Sequence, residues 1–254
     1  MTGDEVRWER LRRDQIAAMP PGTVLLQPIG SVEQHGPHLP LDTDTASATE
    51  VALRAARQLD EPRALVMPPV WWGLSPYWLP FAGTLTLRPE TILALFADLG
   101  ASVARHGFRR LVIVNGHGGN AGIVGVAATM LAEHGVRAAA LSYWNLLGGE
   151  LRRITPGDGG QIGHAGQTET SVQLRLRPEL VDHAAVRPEQ CADLAAKGDA
   201  PFAGAFYAPP DPLRESPHGV YGDAPAATAA AGEEVLALAG ERLAAFVRAF
   251  AAEG

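Results

Sequence analysis

The feature that most constrains the fold of this 254-residue chain is a regular alternation of short apolar runs with helical patterns. Apolar runs of buried-strand type, rich in branched and aliphatic residues, occupy 23–29, 64–70, 110–114 and 138–144. Helical patterns follow these runs at about 45–59, 89–106, 121–133 and 168–176. Strands that alternate with helices form parallel sheets, so the pattern predicts an α/β protein with helices on both faces of a mainly parallel sheet.

Other segments are predicted outside this repeating pattern. Apolar marks over 5–17 predict a short amphipathic helix, 84–87 a short strand, and an Ala-rich stretch over about 226–251 a closing helix. Seven prolines over 185–225 predict an ordered excursion or lid. The length fits a single domain over 1–254, and we find no internal repeat.

Charge and composition exclude several classes of partner. The net charge is −7 and the arginine pairs are scattered, so we expect no nucleic-acid partner. No apolar run is long enough to span a bilayer, and the N-terminus lacks the apolar stretch of a signal peptide. We therefore expect a cytoplasmic protein without a membrane partner. The single Cys191 excludes an internal disulfide framework.

Ionisable side chains cluster where predicted strands end and helices begin. Glu33, His35 and Asp44 follow the first strand, and His117 follows the third in the turn Asn-Gly-His-Gly-Gly-Asn. His164 and Glu169 stand before and within the helix near 168–176. The carboxyl ends of parallel strands share one edge, so these groups can converge there. Imidazole and carboxylate are ligands of zinc and manganese, so we predict a metal site rather than a polar loop of satisfied side chains.

The first cluster has a spacing that suits two metal ions. Glu33 and His35 are two residues apart, and such residues project to the same side of an extended backbone. The two oxygens of Asp44 can bridge two ions. A pair of cations a few ångströms apart makes a bridging water acidic enough to yield hydroxide at neutral pH.

The segment from Gly116 to Ala121 also matches the dinucleotide fingerprint G-x-G-x-x-A. The match occurs late in the chain, and the strand at 138–144 runs into Tyr-Trp-Asn without an acidic residue for a ribose. A nucleotide site is therefore the weaker alternative. Motifs of the H-E-x-x-H and G-x-S-x-G types are absent from the sequence.

At these positions the chain resembles the creatininase family of binuclear metal amidohydrolases. The resemblance rests on Gly30-Ser-Val-Glu-Gln-His-Gly-Pro-His-Leu-Pro, on Asp44, on Gly83-Thr84, on Asn115-Gly-His-Gly-Gly-Asn and on His164 with Glu169-Thr-Ser. These motifs lie in family order over about 20–180. The resemblance implies a three-layer αβα sandwich and a homo-oligomer, often a hexamer.

The resemblance also implies roles for individual residues. Glu33, His35, Asp44 and His117 match metal ligands, with Asp44 bridging. Creatininase itself has a ligand glutamate two residues after the turn histidine, where this chain has Gly119, so Glu169 is expected to supply that carboxylate. His164 matches the histidine that assists proton transfer to the leaving nitrogen. The cofactors implied are two divalent ions, zinc with zinc, manganese or iron.

The implied reaction is hydrolysis of a C–N amide bond by a metal-bridging hydroxide, in a small-molecule substrate such as creatinine rather than at an ordinary peptide bond. Trp144 matches a tryptophan that covers the substrate, and Ser75, in the aromatic loop 71–78, is a second predicted substrate contact. Gly118 and Gly160 replace aromatic residues of creatininase. Alternatives are a peptide or formamide substrate, as in the family's mycofactocin-type peptidase and formamidopyrimidine deformylase, or a binding module without catalysis.

Overall fold

A four-stranded sheet lies at the centre of the computed structural model, which describes residues 5–193 and 211–253. Its strands are β1 (Val24–Ile29), β2 (Ala64–Val66), β3 (Arg110–Asn115) and β4 (Arg137–Ser142). Their order is β2-β1-β3-β4, and all three pairs of neighbours are parallel. The predicted parallel sheet is confirmed.

Helices cover both faces of this sheet. In chain order they are α1 (Arg13–Ala17), α2 (Thr43–Ala56), α3 (Pro89–Arg105), α4 (Ala121–Leu131), α5 (Glu150–Ile154), α6 (Gln167–Leu176), α7 (Pro212–Glu215) and α8 (Ala229–Ala252). A second, two-stranded parallel pair joins β5 (Cys191–Ala192) to β6 (Val220–Tyr221). Within the described ranges, no helix is long and apolar enough to cross a membrane.

Alternate residues of the central strands enter two different cores. Leu26 of β1 and Val112 of β3 pack in one core, together with residues of α2 and α8. Leu25 and Ile113 point to the opposite side and pack in the other core, with residues of α3 and α4. Because strands buried on both faces are apolar at nearly every position, this packing explains the near-continuous apolar runs of the sequence. The three-layer αβα arrangement is confirmed.

The direction in which successive strands are added to the sheet reverses after β2. From β1 it passes to β2 on one side, and it then returns to add β3 and β4 on the other side. Ile29 pairs with Asn115, so β1 and β3 end level with each other. The loops that leave such a switch point diverge and open a crevice at the carboxyl edge, which is where α/β proteins bind ligands.

Two predicted elements are shorter than expected. The run 64–70 forms a strand only over Ala64–Val66, because Pro68 and Pro69 have no N–H to continue the ladder. The predicted helix over 5–17 is replaced by a 3₁₀ turn and α1. Val6 instead extends the sheet edge, where its carbonyl accepts a hydrogen bond from the Val66 N–H at 2.7 Å.

Smaller differences occur at two strand boundaries and in the Pro-rich segment. The predicted strand 84–87 is a single antiparallel bridge between Leu85 and Val32. β4 ends at Ser142, and Trp144 lies in a 3₁₀ turn. Of the predicted excursion at 185–225, the described part contains short turns, β5, α7 and β6, while 194–210 lie outside the described residues. The lid therefore stays a prediction.

Candidate metal centre

The loop after β1 places Glu33 and His35 against the start of α2. Gly30 directly follows β1 and lies very close to α2. A Cβ on Gly30 would lie 2.3 Å from the backbone nitrogen of Thr45. Any larger residue would separate the strand from the helix. Asp44 lies in the first turn of α2, and Glu33, His35 and Asp44 are almost completely buried.

Asp44 is at the centre of the cluster. Its Oδ1 lies 3.0 Å from His35 Nε2, and its Oδ2 lies 3.0 Å from His117 Nδ1. His117 Nδ1 is also 3.2 Å from Glu33 Oε1. Each carboxylate oxygen of Asp44 therefore faces a different imidazole, and the turn after β3 delivers His117 to the loop that follows β1.

The segment before α6 adds His164, and the first turn of α6 adds Glu169. His164 is held by two backbone hydrogen bonds with Tyr221 of β6, at 3.0 and 2.7 Å. The Ala165 N–H donates to Glu169 Oε2 at 2.6 Å, and Ala165 itself adopts the left-handed conformation with φ 52°. Asp158 accepts hydrogen bonds from the backbone N–H groups at the start of α6. These contacts bring Glu169 Oε2 to 3.7 Å from His35 Nε2.

Backbone carbonyls determine which nitrogen carries the proton in His35 and His117. His117 Nε2 lies 3.2 Å from the Leu74 carbonyl, and His35 Nδ1 lies 3.1 Å from the Glu33 carbonyl. A carbonyl only accepts, so these two nitrogens are the donors, and the opposite nitrogen of each ring presents its lone pair to the carboxylates. His164 Nε2 lies 2.8 Å from both the carbonyl oxygen and the side-chain amide nitrogen of Gln34.

Lone pairs that face carboxylates need a cation between them. Both oxygens of Glu33, and Oδ2 of Asp44, are buried and accept no hydrogen bond. Ligand atoms of Glu33, Asp44 and His117 lie within 4.8 Å of one another, as do those of His35, Asp44 and Glu169. Nitrogen and oxygen donors in such groups suit zinc or manganese, so the residues present fit a metal centre.

The pKa values of His35 and His117 show that the buried carboxylates favour positive charge on these histidines. Burial lowers the pKa of His35, but the charges of Asp44, Glu169 and Glu33 outweigh burial and raise it to about 10. For His117 burial acts in the same direction, and Glu33 is the main group that raises its pKa well above the usual value. Without a metal, protons therefore supply the missing positive charge.

The carboxylates divide into two kinds. Burial favours the protonated form of Asp44, yet His35 and His117 hold its pKa well below the usual range. Burial raises the pKa of Glu169 to about 8, against the attraction of His35 and with help from the negative charge of Asp44. Asp44 is thus the permanent anion of the cluster, and Glu169 is the carboxyl that holds a proton most readily.

His164 differs from the other two histidines. Burial and the nearby His35 hold its pKa well below the usual value, so the ring is neutral. The indole of Trp78 stacks on it, with ring centroids 4.1 Å apart. His164 Nδ1 lies 3.6 Å from Glu33 Oε1. The ring therefore has a fixed orientation, with Nδ1 on the side of the cluster.

A cavity of about 240 Å³ opens above the cluster. Its floor contains Asp44, His117, His164 and Glu169, and its walls include Tyr77, Trp78, Trp144 and Tyr221. Trp144 therefore lies where a substrate contact was predicted. Ser75 does not line the cavity: it is fully buried behind His117, with Oγ 3.1 Å from His117 Nε2.

The sequence analysis did not identify Tyr221 or Asp158 as residues that support the site. Tyr221 lies in the Pro-rich segment and reaches the site through backbone pairing, which leaves no local pattern.

The turn that matches the dinucleotide fingerprint packs against the cluster. A Cβ on Gly116 would lie 2.3 Å from the Asp44 carbonyl oxygen, and one on Gly119 would lie 2.5 Å from His117 Nε2. The glycines therefore permit close packing around His117, which weakens the nucleotide alternative.

Comparison with known proteins agrees with this geometry. The family model described as Creatininase: Creatinine amidohydrolase matches residues 8–247. A mycofactocin precursor peptide peptidase of Mycobacterium tuberculosis (strain ATCC 25618 / H37Rv) is 38% identical over 230 residues, covering 88% of this chain and 83% of the relative. A creatinine amidohydrolase of Pseudomonas putida is 34% identical over 175 residues, covering 63% and 66%.

Solved structures show the same architecture. A mutant creatininase of the Zn-Zn type superposes with a TM-score of 0.81 at 30% identity, covering 96% of this chain and 98% of that one. A manganese creatininase gives a TM-score of 0.79 at 29% identity with the same coverage. Both metals named for these structures match the donor set of the cluster.

Proposed function

This chain belongs to the creatininase family and is an amidohydrolase, and from that premise we propose that it cleaves an amide bond in a peptide substrate. One observation carries the proposal. Gly118 lines the cavity, and no described atom lies within 4 Å of the place where its Cβ would be. The wall that an aromatic residue supplies at this position in creatininase is therefore open, which leaves room for a chain that continues beyond the scissile amide.

The similarity to peptidases supports the same substrate class. The match to the mycofactocin precursor peptide peptidase extends over 88% of this chain, against 63% for the creatinine amidohydrolase. Gly160 replaces a second covering aromatic residue of creatininase and lines the groove next to the cavity. Creatinine is the second candidate, favoured by Trp144 in the cavity wall.

We propose that Glu33, His35, Asp44, His117 and Glu169 hold two divalent ions, zinc with zinc, manganese or iron. Such ions, when bound, supply an activated water and polarise the amide carbonyl. The carbonyls of Leu74 and Glu33 hold the rings of His117 and His35 with their lone pairs toward the carboxylates. This support fixes the ligand geometry before substrate arrives.

His164 is the group proposed to move the proton. Its Nδ1 lies on the cluster side, 3.6 Å from Glu33 Oε1, where it takes up a proton and returns it to the departing nitrogen. Stacking on Trp78 keeps the ring from rotating. Glu169 lies beside His35 and is the second group able to carry that proton.

A substrate panel tests the proposal on protein loaded with zinc or manganese. We expect hydrolysis of short peptides with a kcat/KM well above the value for creatinine or for formamides. Gly118→Phe should lower kcat/KM for peptides more than for creatinine, because the new ring closes the open wall. Gly122→Ala, at a position with open surroundings outside the cavity, is the control. Turnover of creatinine alone would overturn the peptide assignment.

Three expectations about the whole chain remain proposals. We propose that residues 1–254 form a single domain, that the protein is cytoplasmic, and that it assembles as a homo-oligomer. The assembly follows from family resemblance. Light scattering of the purified protein tests it, and a mass of one chain at all concentrations would contradict it.

A further inference from the structure

A second groove, of about 400 Å³, adjoins the catalytic cavity. Trp144 and Ile162 line both spaces, so the two lie next to each other. The far walls of the groove include Asn145, Gly160 and Gln161. A substrate that extends past Trp144 enters this groove directly.

Beside the groove, packed against its lining residue Gly160, lies a cation that the fold does not use. Arg152 makes no ion pair or hydrogen bond with any residue in 5–193 or 211–253. Its neighbour Arg153 pairs with Glu150 and Glu234, and Arg242 donates to the carbonyls of Leu146 and Leu147. Arg152 is therefore distinct from the arginines around it, which have structural partners.

Gly160 brings Arg152 to the groove wall. A Cβ on Gly160 would lie 2.9 Å from Arg152 Cβ and 3.0 Å from its Nε, and the backbone of Gly160 has φ 85°. Both conditions favour glycine at this position. The side chain of Arg152 consequently lies along the glycine that lines the groove, and the negative charge of nearby Glu150 is already compensated by Arg153.

We propose that this groove is a substrate subsite for an acidic peptide segment, with Arg152 pairing with a carboxylate on that segment. The inference rests on the proposed peptide substrate and adds its charge and its extent. A guanidinium without an internal partner is suited to a carboxylate that approaches from solvent. Trp144, which lines both spaces, then lies between the scissile amide and the acidic segment.

Binding of non-hydrolysable peptides tests the subsite on the zinc-loaded protein. In the probes CH₂–NH replaces the scissile amide, and one Glu is moved from one to four residues away from it on either side. A matched series carries Gln in place of Glu. We expect the wild type to bind the Glu peptide about fivefold more tightly than its Gln counterpart at one position, as a solvent-accessible ion pair provides.

Variants then locate this selectivity. Arg152→Ala should abolish the Glu-over-Gln preference, and Arg152→Lys should retain part of it. Arg105→Ala, an exposed arginine of α3, is the control and should leave it unchanged. Gln161→Trp, which fills the groove, should weaken binding of long peptides relative to short ones.

Two results overturn the subsite: equal affinities for Glu and Gln peptides in the wild type, or a preference that survives in Arg152→Ala. The outcome is independent of the proposed function, because turnover of the unmodified peptides is measured separately. Hydrolysis of peptides without any Glu preference leaves the proposed function intact and refutes the subsite alone.

Discussion

At the scale of single residues, the cluster brings histidine nitrogens against buried carboxylate oxygens, and three of these oxygens, on Glu33 and Asp44, accept no hydrogen bond. Asp44 is the residue that every part of the cluster shares, since His35 and His117 approach its two oxygens at 3.0 Å each. Its replacement by a neutral group of the same shape removes the permanent anion without creating a cavity. The consequences should therefore appear in metal content before they appear in folding.

We predict that Asp44→Asn and His117→Ala each lower turnover by about 10³-fold or more, because ligand loss forfeits several kcal/mol of transition-state stabilisation. Elemental analysis should show about two divalent ions per chain in the wild type and a clear deficit in both variants. Asp60→Asn, an exposed carboxylate outside the site, is the control. Full turnover by a metal-depleted variant would refute the metal assignment.

Ser75 provides a graded comparison. Its hydroxyl lies behind the ligand, 3.1 Å from His117 Nε2, and makes a 2.6 Å contact with Ser31 Oγ. Groups that orient a metal-binding histidine change affinity by about 10- to 100-fold, so Ser75→Ala should give an effect between those of the control and His117→Ala. The measurement is metal affinity by competition with a chelator.

His38 is a buried residue whose effect is on stability. Its Nε2–H donates to Thr170 Oγ1 at 2.8 Å, and Thr170 in turn donates to the Ala165 carbonyl beside Glu169. Burial, with the charges of His183 and His35, lowers the pKa of His38 from 6.5 to about 4. Between pH 6.5 and 4, His38 is therefore mostly protonated in the unfolded chain and mostly neutral in the folded chain.

The resulting contribution to stability is fully present above pH 6.5 and is lost as pH falls toward 4, an amount of roughly 3 kcal/mol. We predict that His38→Gln, which keeps an N–H donor, shows a correspondingly smaller loss of unfolding free energy between pH 7 and 4. Urea unfolding across this range is the measurement, with His106→Gln as an exposed control. An unchanged pH dependence would contradict the prediction.

At the scale of elements, the position of α6 depends on its contact with α8. Gly232 in the first turns of α8 lies so close to α6 that a Cβ would be 1.9 Å from the Ser171 carbonyl oxygen. Ser171 follows Glu169 by two residues in the same helix. The long C-terminal helix therefore determines how far a proposed ligand reaches into the cluster.

The same substitution at two helical glycines should have opposite effects. Gly232→Ala should lower the free energy of unfolding by about 2 kcal/mol, because the helices must separate. Gly125→Ala in α4 meets open space and should raise it by up to about 1 kcal/mol, since alanine favours helix. Denaturant unfolding measures both. Equal effects would show that the close approach of α8 to α6 is not structurally important.

Elements with strong periodicity were predictable, and those set by distant contacts were not. The strands of the central sheet follow from apolar runs, because strands buried on both faces cannot contain exposed polar positions. The helix expected over 5–17 was wrong because Val6 pairs with the sheet edge at Val66, a contact that local pattern does not encode. Pro68 and Pro69 were visible signals that should have shortened the strand at 64–70.

At the scale of the whole molecule, the parallel topology explains why the convergence of these side chains could be predicted. Strands β1 and β3 end level, so residues that follow them meet without any long loop. Only the residue types after the strands had to be identified. The contribution of Tyr221 could not be predicted in this way, because it depends on where a distant Pro-rich segment returns to the site.

Metal binding should stabilise the entire fold. The metal-free cluster buries three carboxylates together, and zinc that binds only the folded state stabilises it by about 2.7 kcal/mol at 100 times its Kd. We predict a Tm that rises with zinc concentration and falls on chelation. Asp44→Asn should show a much smaller rise. A wild-type Tm that does not respond to zinc or manganese would contradict the metal centre.

The cluster also joins parts of the chain that are far apart in sequence, from Glu33 after β1 to Glu169 in α6. During synthesis the first proposed ligands leave the ribosome well before the last, so the proposed ion site is complete only after α6 has emerged and docked. A chain that finishes folding without an ion lacks this link and opens more often to cellular proteases. Scarcity of metal would then reduce the amount of this protein in the cell, and not only its specific activity.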